Sequence, residues 1–564
     1  MRHMGEVHAP ENPREKGSRI YFMNQAEIEG RLCPDGSVAD LIFLDMNRLR
    51  EKIHIMNDID DMNILSLFDS AEGFRRIVAA IGISFEETAA EQIEVQLQFY
   101  GKKNRYESGT HLTWQCPADG SETMLWLEDA DWSEDDDVPG QFQFHFPQEG
   151  MQAKITVVFY AREGYALPEQ ELEAPVAYES DRYRDMIAAS FMSGGNNARF
   201  RKAAEKAQRG EEITAAFIGG SITQGAGARP GNTACYSYRT VQGLEQLLKT
   251  DRISYVRAGL GGTPSELGMI RFDRDVLRKG CPDLVVIEFA VNDSDDETQG
   301  RCYESLVRKA LELSPDTAVV LLFCVFSDDW NLQERLAPVG AYYQLPMVSI
   351  RNAVCPQFSL TQEAGRVISR RRYFYDTFHP SNDGHHVMAD CLDYLFEKML
   401  QAEPDRQPVP VPQKTLLGRT FEDITLFDRD SEENRIFISA GSFTETDKDL
   451  QAAEYDADPH CTPQFPYNWM HDTDAGTDPF VMTLTCRSLF LIYKDSGKEE
   501  YGTAEILLDG HRKMAADPKC VGWTHCHACL LLESDERREH EVRIRMAPGC
   551  EKMKFTILGF GICE

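Results

Sequence analysis

The pattern of hydrophobic and polar positions changes twice along the chain. In the first part, apolar and polar residues alternate in short segments, as at residues 93–100, 142–146 and 153–160. Alternation with a period of two, rich in aromatic and β-branched residues, is typical of strands that bury one face. The first part therefore predicts an antiparallel β-sandwich, which we place at residues 19–180.

The middle part contains continuous apolar runs instead. Helix-length segments such as residues 238–248 separate these runs, which lie at residues 215–218, 253–256, 284–289 and 318–325. Short runs of this kind are typical of parallel strands buried on both faces. Strands that alternate with helices predict a three-layer α/β domain with a parallel sheet, here over residues 181–401.

Strand-like patterning returns in the last part, at residues 488–493, 504–508, 541–546 and 555–560. It predicts a second β-sandwich over residues 415–564. The connector at residues 167–175 is rich in glutamate and proline, and the connector at 403–412 is rich in proline. The predicted fold class is thus a three-layer α/β domain flanked by two mainly β domains.

Charge and composition exclude several kinds of partner. The formal net charge of -33 argues against nucleic acid and against an anionic membrane surface, because both attract basic patches. No segment approaches the roughly 18 consecutive apolar residues of a membrane span, and residues 1–6 show no apolar signal sequence. The 15 cysteines follow no repeating spacing. We therefore expect a cytoplasmic protein with no nucleic-acid or membrane partner.

Residues suited to ester hydrolysis follow the predicted parallel strands. Ser221 follows the first run on a Gly-Gly turn, Gly262 comes after the second run and Asn292 after the third. The ends of parallel strands are where α/β sheets bind their ligands. A serine nucleophile needs a neighbouring base, and that base needs an acid; His379 and Asp376, three residues apart, fit these roles.

Acyl transfer also needs hydrogen-bond donors for the developing oxyanion. The backbone N–H groups of Ser221 and Gly262 and the side-chain amide of Asn292 could supply them. Taken singly, Gly262 and Asn292 are also ordinary turn residues, and Gly-x-Ser is common by chance. The combination in this order predicts a serine esterase.

Residues 214–399 resemble the SGNH hydrolases, also called the GDSL family, which are named for Ser, Gly, Asn and His in four sequence blocks. Ser221, Gly262, Asn292 and His379 match these four residues, with Asp376 as the acid.

Two blocks of this chain depart from the family pattern. Residues 219–222 read Gly-Gly-Ser-Ile where Gly-Asp-Ser-Leu is usual, and residues 290–293 read Ala-Val-Asn-Asp where Gly-x-Asn-Asp is usual. Neither departure removes a reactive group. We expect Gly220, in place of the usual aspartate, to leave the backbone more freedom beside the nucleophile.

The order of sandwich, SGNH domain and sandwich is similar to that of acetyl-mannan and acetyl-xylan esterases. The resemblance implies removal of O-acetyl groups from manno- or xylo-oligosaccharides through an acetyl-enzyme intermediate, without a cofactor. Trp330, Trp469 and Trp523 are candidate sugar contacts, with internal packing as the alternative for each.

The cluster at residues 525–529, His-Cys-His-Ala-Cys, raises the question of a metal site. In a strand, its first, third and fifth residues would share one face. Structural zinc, however, usually takes its ligands from two separated pairs, and no clean second pair appears. We therefore predict no metal site.

Two alternative functions remain open. The same machinery could act on lipid esters or thioesters, although the sequence shows no long apolar lid. The chain could also be a carbohydrate-binding protein with a relic hydrolase domain, although all five expected catalytic residues are retained. A homodimer formed through a sandwich face is compatible with this large acidic chain.

Overall fold

The computed structural model describes residues 16–33, 35–165, 167–168, 175–293, 297–432 and 435–564. Residues 1–6 and most of the connector at 167–175 therefore lie outside the described residues. The chain divides into two compact units. Unit 1 comprises residues 1–176 and 369–377, and unit 2 comprises residues 177–368 and 378–564.

Unit 1 is a two-layer β-sandwich. Its strands are β1 (Arg19–Glu29), β2 (Arg31–Leu32), β3 (Val38–Phe43), β4 (Val78–Glu86), β5 (Gln92–Gly101), β6 (His111–Pro117), β7 (Thr123–Trp126), β8 (Asp136–His145) and β9 (Gln152–Ala161). One sheet has the order β1-β9-β4-β7 and the other β2-β3-β8-β5-β6. All pairings are antiparallel, as predicted.

The core of unit 1 lies between these sheets, because alternate residues of each strand point inward. Phe22 and Phe159 of one sheet contact Phe142 of the other, with the Phe22 and Phe142 ring centroids 5.4 Å apart. Three helices that the alternation pattern did not predict also pack on this core: α1 (Arg48–Asn57), α2 (Met62–Leu65) and α3 (Ala71–Ile77).

Unit 2 begins with the predicted α/β fold. Its strands are β10 (Phe191–Ser193), β11 (Ile213–Gly219), β12 (Ile253–Gly259), β13 (Leu284–Glu288), β14 (Ala318–Phe323) and β15 (Met347–Ser349). They form one sheet in the order β10-β15-β14-β13-β11-β12. All neighbours pair in parallel except β10, which adds an antiparallel edge strand.

Helices surround this sheet. They are α4 (Asp181–Ala188), α5 (Ala198–Gln208), α6 (Ser221–Gln224), α7 (Tyr236–Leu248), α8 (Ser265–Ile270), α9 (Phe272–Val276), α10 (Arg301–Glu312), α11 (Gln333–Tyr342), α12 (Ile350–Phe358) and α14 (Asn382–Gln401). Helix α13 (Arg370–Tyr373) belongs to unit 1. Short 3-10 helices occur at Ser66–Asp69, Leu127–Asp129 and Leu277–Lys279.

The register of the sheet brings three strand ends together. Gly219, the last residue of β11, pairs with Gly259 of β12 on one side and with Glu288 of β13 on the other. The loops that carry Ser221, Gly262 and Asn292 therefore begin from neighbouring positions at one edge of the sheet. This is the edge where open α/β sheets bind ligands.

The C-terminal region, residues 415–564, is built from antiparallel strands. They are β16 (Thr425–Phe427), β17 (Phe437–Ser439), β18 (Ala452–Glu454), β19 (Cys461–Pro463), β20 (Trp469–His471), β21 (Phe480–Asp495), β22 (Ala504–Leu508), β23 (His511–Ala516), β24 (His525–Met546) and β25 (Phe555–Cys563). Eight of them join one sheet, whose central path is β16-β25-β21-β24-β22-β23; β17 pairs with β21, and β20 with β25. Residues from both ends of that path share one hydrophobic core, so the sheet folds over on itself.

The C-terminal region also shares a core with the α/β part of unit 2. One cluster of buried side chains contains Leu260 and Phe272 of the α/β part together with Phe465, Phe490 and Leu558 of the C-terminal region. Continuous apolar packing of this kind holds two parts of a chain in one fixed arrangement. The flanking β region therefore meets the α/β sheet directly, close to the loop after β12.

Candidate active site

The loop after β11 holds Ser221 at the start of α6. Gly220 has a φ of -86°, which other residues also adopt, so conformational freedom is not the reason for glycine here. The reason is space: a Cβ at Gly220 would lie 2.6 Å from Asn292 Nδ2 and 2.7 Å from Asn292 Cγ. This close packing gives a spatial reason for glycine at position 220, because any larger residue, aspartate included, would require the Asn292 side chain to shift.

His379 lies within hydrogen-bond distance of Ser221, with 2.9 Å between His379 Nε2 and Ser221 Oγ. Gly227 supports the segment that carries the histidine: a Cβ at Gly227 would lie 3.1 Å from His379 Cβ and would overlap the carbonyl oxygen of Pro380. Glycine at 227 therefore lets the loop after α6 approach the backbone of residues 379–380 closely.

Asp376 precedes His379 by three residues and lies in the segment 369–377, which groups with unit 1. Its function as the acid stays a prediction from the sequence.

The loops after β12 and β13 bring Gly262 and Asn292 to the site. Gly262 has a φ of +68°, in the left-handed region that favours glycine. Asp293 joins the two loops, because its carboxylate accepts the N–H of Ser265 at 2.8 Å and the hydroxyl of Ser265 at 2.7 Å. The buried Asp293 side chain thereby fixes the loop of Asn292 relative to the residues that follow Gly262.

Two backbone N–H groups beside the nucleophile are available to a ligand. Within the part of the chain that the structure describes, neither the N–H of Ser221 nor that of Gly262 donates a hydrogen bond. Ser221 is the first residue of α6, where helix N–H groups lack an intrahelical partner. These two groups and the half-buried amide of Asn292 come from the three neighbouring strand ends.

A buried carboxylate that sequence reasoning missed lies behind the nucleophile loop. Glu288 Oε2 accepts the hydroxyl of Thr223 at 3.0 Å, and that hydroxyl is also 2.9 Å from the Tyr236 hydroxyl. Complete burial raises the pKa of Glu288 to about 7, although hydrogen bonds from Thr223, Cys324 and the Gly220 backbone oppose the shift. A charged residue inside the apolar run 284–289 was the available sequence signal.

His385 anchors the other side of the nucleophile loop. Its Nε2 donates to the carbonyl of Ala226 at 3.0 Å, and its Nδ1 accepts the N–H of Tyr236 at 3.2 Å. Burial lowers the pKa of His385 to about 3, so the ring is neutral at neutral pH. Its contacts are those of a structural histidine.

The three candidate tryptophans occupy different environments. Trp469 is only 4% exposed and packs against Phe480 in the core of the C-terminal region, which leaves no ring face for a sugar. This corrects the expectation of a sugar contact at Trp469. Trp523 is 39% exposed, and its ring lies 2.9 Å from where a Gly262 Cβ would stand.

Trp330 connects to the site through two phenylalanines. Its ring stacks on Phe326 at 5.8 Å, Phe326 meets Phe378 edge to face at 5.0 Å, and Phe378 lies 6.3 Å from the His379 ring. Phe378 is 44% exposed. Half-exposed aromatic rings therefore lie beside His379 and, through Trp523, beside Gly262.

His525, the first residue of the cluster at 525–529, contacts the turn that carries Gly262. Its Nε2 lies 2.9 Å from the carbonyl oxygen of Gly262, so it donates to that oxygen. Among the described residues, no group of three or more His, Cys, Asp and Glu side chains could hold a metal ion. None of the helices in the described residues combines the length and the apolar character that a membrane span needs.

The chain is similar to proteins of known structure and to one known family. Residues 217–387 match the GDSL-like lipase/acylhydrolase family. Two crystal structures of a two-domain esterase active on acetylated mannans, one co-crystallised with mannopentaose, are each 26% identical to this chain. They cover 67% of this chain and 98% and 99% of their own, with TM-scores of 0.55 and 0.56.

A family two carbohydrate esterase from Clostridium thermocellum, in complex with cellohexaose, is more distant. It is 13% identical, covers 58% of this chain and 90% of its own, and has a TM-score of 0.25. No curated protein sequence matches the chain.

Proposed function

From the premise that residues 217–387 belong to the GDSL-like lipase/acylhydrolase family and that the chain is a carboxylic ester hydrolase, we propose that it removes O-acetyl groups from acetylated oligosaccharides. Ser221 is the nucleophile, His379 the base and Asp376 the acid of this proposal. The observation that carries it is the 2.9 Å distance between His379 Nε2 and Ser221 Oγ. Nucleophile and base at this separation are ready for proton transfer.

Acylation begins when Ser221 Oγ attacks the acetyl carbonyl carbon and its proton passes to His379 Nε2. For Nε2 to accept that proton, the other ring nitrogen must already carry one, which is the tautomer that Asp376 would stabilise. The carbonyl oxygen becomes an oxyanion, held by the N–H groups of Ser221 and Gly262 and by the Asn292 amide. Collapse of the intermediate transfers the proton from His379 to the sugar oxygen, which leaves as a hydroxyl.

Deacylation repeats these steps with water. His379 takes a proton from water, whose oxygen attacks the acetyl carbonyl carbon of the ester on Ser221. The same three donors hold the second oxyanion. The proton returns from His379 to Ser221 Oγ, and acetate is released. Each cycle consumes one water molecule and restores the free enzyme.

A sugar substrate is supported by the aromatic side chains around the site. Phe378, beside His379, and Trp523, beside Gly262, are large, half-exposed rings. Aromatic rings offer flat apolar faces of the kind that sugar rings cover, and their edges leave room for hydroxyl groups in water. The similar solved structures, from an esterase active on acetylated mannans, support the same class of substrate.

The test is hydrolysis of acetylated manno- and xylo-oligosaccharides, with loss of acetyl groups followed by mass spectrometry. Wild-type protein should release acetate. Ser221→Ala should lose about 10⁴-fold or more in kcat, since the nucleophile and its base act as one unit. Ser359→Ala is the matched control, because Ser359 is an exposed serine at the end of α12 and should leave kcat unchanged.

Three other results would contradict the proposal. Turnover of long-chain acyl esters or thioesters, with no deacetylation of any oligosaccharide, would replace the sugar proposal by a lipid or thioester activity. Binding of oligosaccharides without turnover of any ester would support a relic hydrolase. Full activity in Ser221→Ala would refute the proposed mechanism.

A further inference from the structure

The turn after β12 is held from both sides. On the α/β side, the N–H of Gly261 donates to Gln224 Oε1 at 2.7 Å, and the hydroxyl of Thr263 donates to the carbonyl of Leu260 at 2.8 Å. The exposed Gly262 lies at the tip of this turn. Two successive glycines make the backbone of such a turn mobile unless hydrogen bonds fix it.

The C-terminal region holds the two carbonyl groups of the same glycines. Gln451 Nε2 donates to the carbonyl of Gly261 at 2.8 Å, and His525 Nε2 donates to the carbonyl of Gly262 at 2.9 Å. Gln451 is itself oriented, because its Oε1 accepts the N–H of Cys526 at 2.8 Å. Both side chains are buried, which makes these hydrogen bonds persistent.

Because the peptide group is planar, the hydrogen bonds to these carbonyl groups also determine the direction of the Gly262 N–H. The carbonyl of Gly261 and the N–H of Gly262 belong to one planar trans peptide group and point in opposite directions. Gln451, by fixing that carbonyl, therefore fixes the direction of the Gly262 N–H. His525 fixes the next peptide group and so prevents Gly262 from rotating about its own backbone bonds.

The state of the His525 ring fits this function. Since Nε2 donates, a neutral ring leaves Nδ1 without a proton, and within the described part of the chain Nδ1 has no hydrogen-bond partner. Burial lowers the pKa of His525 to about 4, so the ring stays neutral at neutral pH. A neutral donor holds the turn without placing a fixed cation beside the catalytic residues.

We propose that Gln451 and His525 are positioning residues of the oxyanion site: they aim the Gly262 N–H at the reacting carbonyl, so the active site is complete only with the C-terminal region in place. This inference rests on the proposed function, because it assumes that Gly262 is an oxyanion donor. It assigns the C-terminal region a part in the chemical step, separate from any contact with sugar.

The test uses p-nitrophenyl acetate, a substrate without a sugar, so that lost sugar contacts cannot affect the result. Full-length Gln451→Met and His525→Phe keep the approximate size of each side chain and remove the donor. Each should lower kcat by about 10- to 10³-fold, up to the loss that follows removal of one oxyanion donor. KM should change little, because the donor acts in the transition state rather than in the bound ester.

Conservative and control variants separate positioning from folding. His525→Gln keeps a side-chain N–H donor and should recover most of kcat, which a purely structural role would not predict. His460→Phe alters an exposed histidine of the same region and should leave kcat unchanged. The thermal unfolding midpoint of each variant shows whether it is folded. If the variant at one of the two positions, 451 or 525, does not fold, the variant at the other position still tests the inference.

The outcomes distinguish the two proposals. Wild-type kcat in both Gln451→Met and His525→Phe, with Ser221→Ala inactive, would overturn the positioning role alone. Equal loss in His525→Phe and His525→Gln, matched by a lower unfolding midpoint, would reduce the histidine to a structural residue. An inactive wild type, or an active Ser221→Ala, would overturn the proposed function and this inference together.

Discussion

Replacement of Gly220 by alanine tests whether Asn292 acts as an oxyanion donor. The new Cβ would lie 2.6 Å from Asn292 Nδ2 and 2.7 Å from Asn292 Cγ, where ordinary contacts are about 3.5 Å. The Asn292 backbone cannot easily retreat, because its N–H donates to the carbonyl of Phe289 at 3.0 Å. The side-chain amide must therefore move by about 1 Å, a displacement that can cost about 10²-fold in rate.

The size of the effect follows from the donor that is displaced. Loss of one oxyanion donor raises the barrier by about 2.7–4 kcal/mol, which corresponds to about 10²- to 10³-fold in kcat. Gly220→Ala should approach this loss although it removes no functional group. KM should change little, and the φ of -86° means that alanine meets no left-handed strain at this position.

The assay is a double-mutant cycle with p-nitrophenyl acetate. Asn292→Ala alone should cost a similar factor, and the Gly220→Ala/Asn292→Ala double variant should cost little more than either single change, because both remove the same donor. Gly476→Ala is the control, since its Cβ meets open space. Wild-type kcat in Gly220→Ala, or a double variant that loses the product of the two factors, would refute the reasoning.

Three further predictions concern Glu288, Asp393 and the pair of Trp469 and Trp523. Burial raises the pKa of Glu288 to about 7, above its value in the unfolded chain, so its contribution to stability is present at low pH and is lost as pH rises to about 7. Glu288→Gln should remove this slope, at most about 1.4 kcal/mol per pH unit, when unfolding is followed by calorimetry between about pH 5.5 and 8. Burial and the carboxylates of Asp390 and Glu397 raise the pKa of Asp393 to about 8, so Asp393→Asn should raise the unfolding midpoint, and more at pH 8 than at pH 6. Trp469→Ala should destabilise the C-terminal region by about 3–5 kcal/mol without altering KM for acetylated oligosaccharides, whereas Trp523→Ala should raise KM and leave the unfolding midpoint nearly unchanged.

The sequence alone predicted the fold class, because hydrophobic periodicity follows directly from which faces of a strand or helix are buried. The runs at 215–218, 253–256 and 284–289 became neighbouring parallel strands, β11, β12 and β13. Helices α1 to α3 were missed, since short helices within a strand-rich region leave only a weak pattern.

The sequence also supplied the candidate catalytic residues, since chemistry restricts which side chains can act as nucleophile, base and oxyanion donor. The structure brings Ser221 and His379 to hydrogen-bond distance. The reason for Gly220 was not visible in the sequence, because it depends on an asparagine that is 72 positions away along the chain (292 minus 220). Only the register of the sheet makes these two residues neighbours.

Tertiary structure alone decided what the C-terminal region does at the site. Periodicity describes the environment of a residue on its own element, so Trp469 and Trp523 look alike in sequence, yet one is core and the other lies beside Gly262. In the same way, the sequence assigned no function to His525, and only the folded chain places its Nε2 at the carbonyl of Gly262. Contacts between distant segments depend on how layers pack together, and that information exists only in the folded chain.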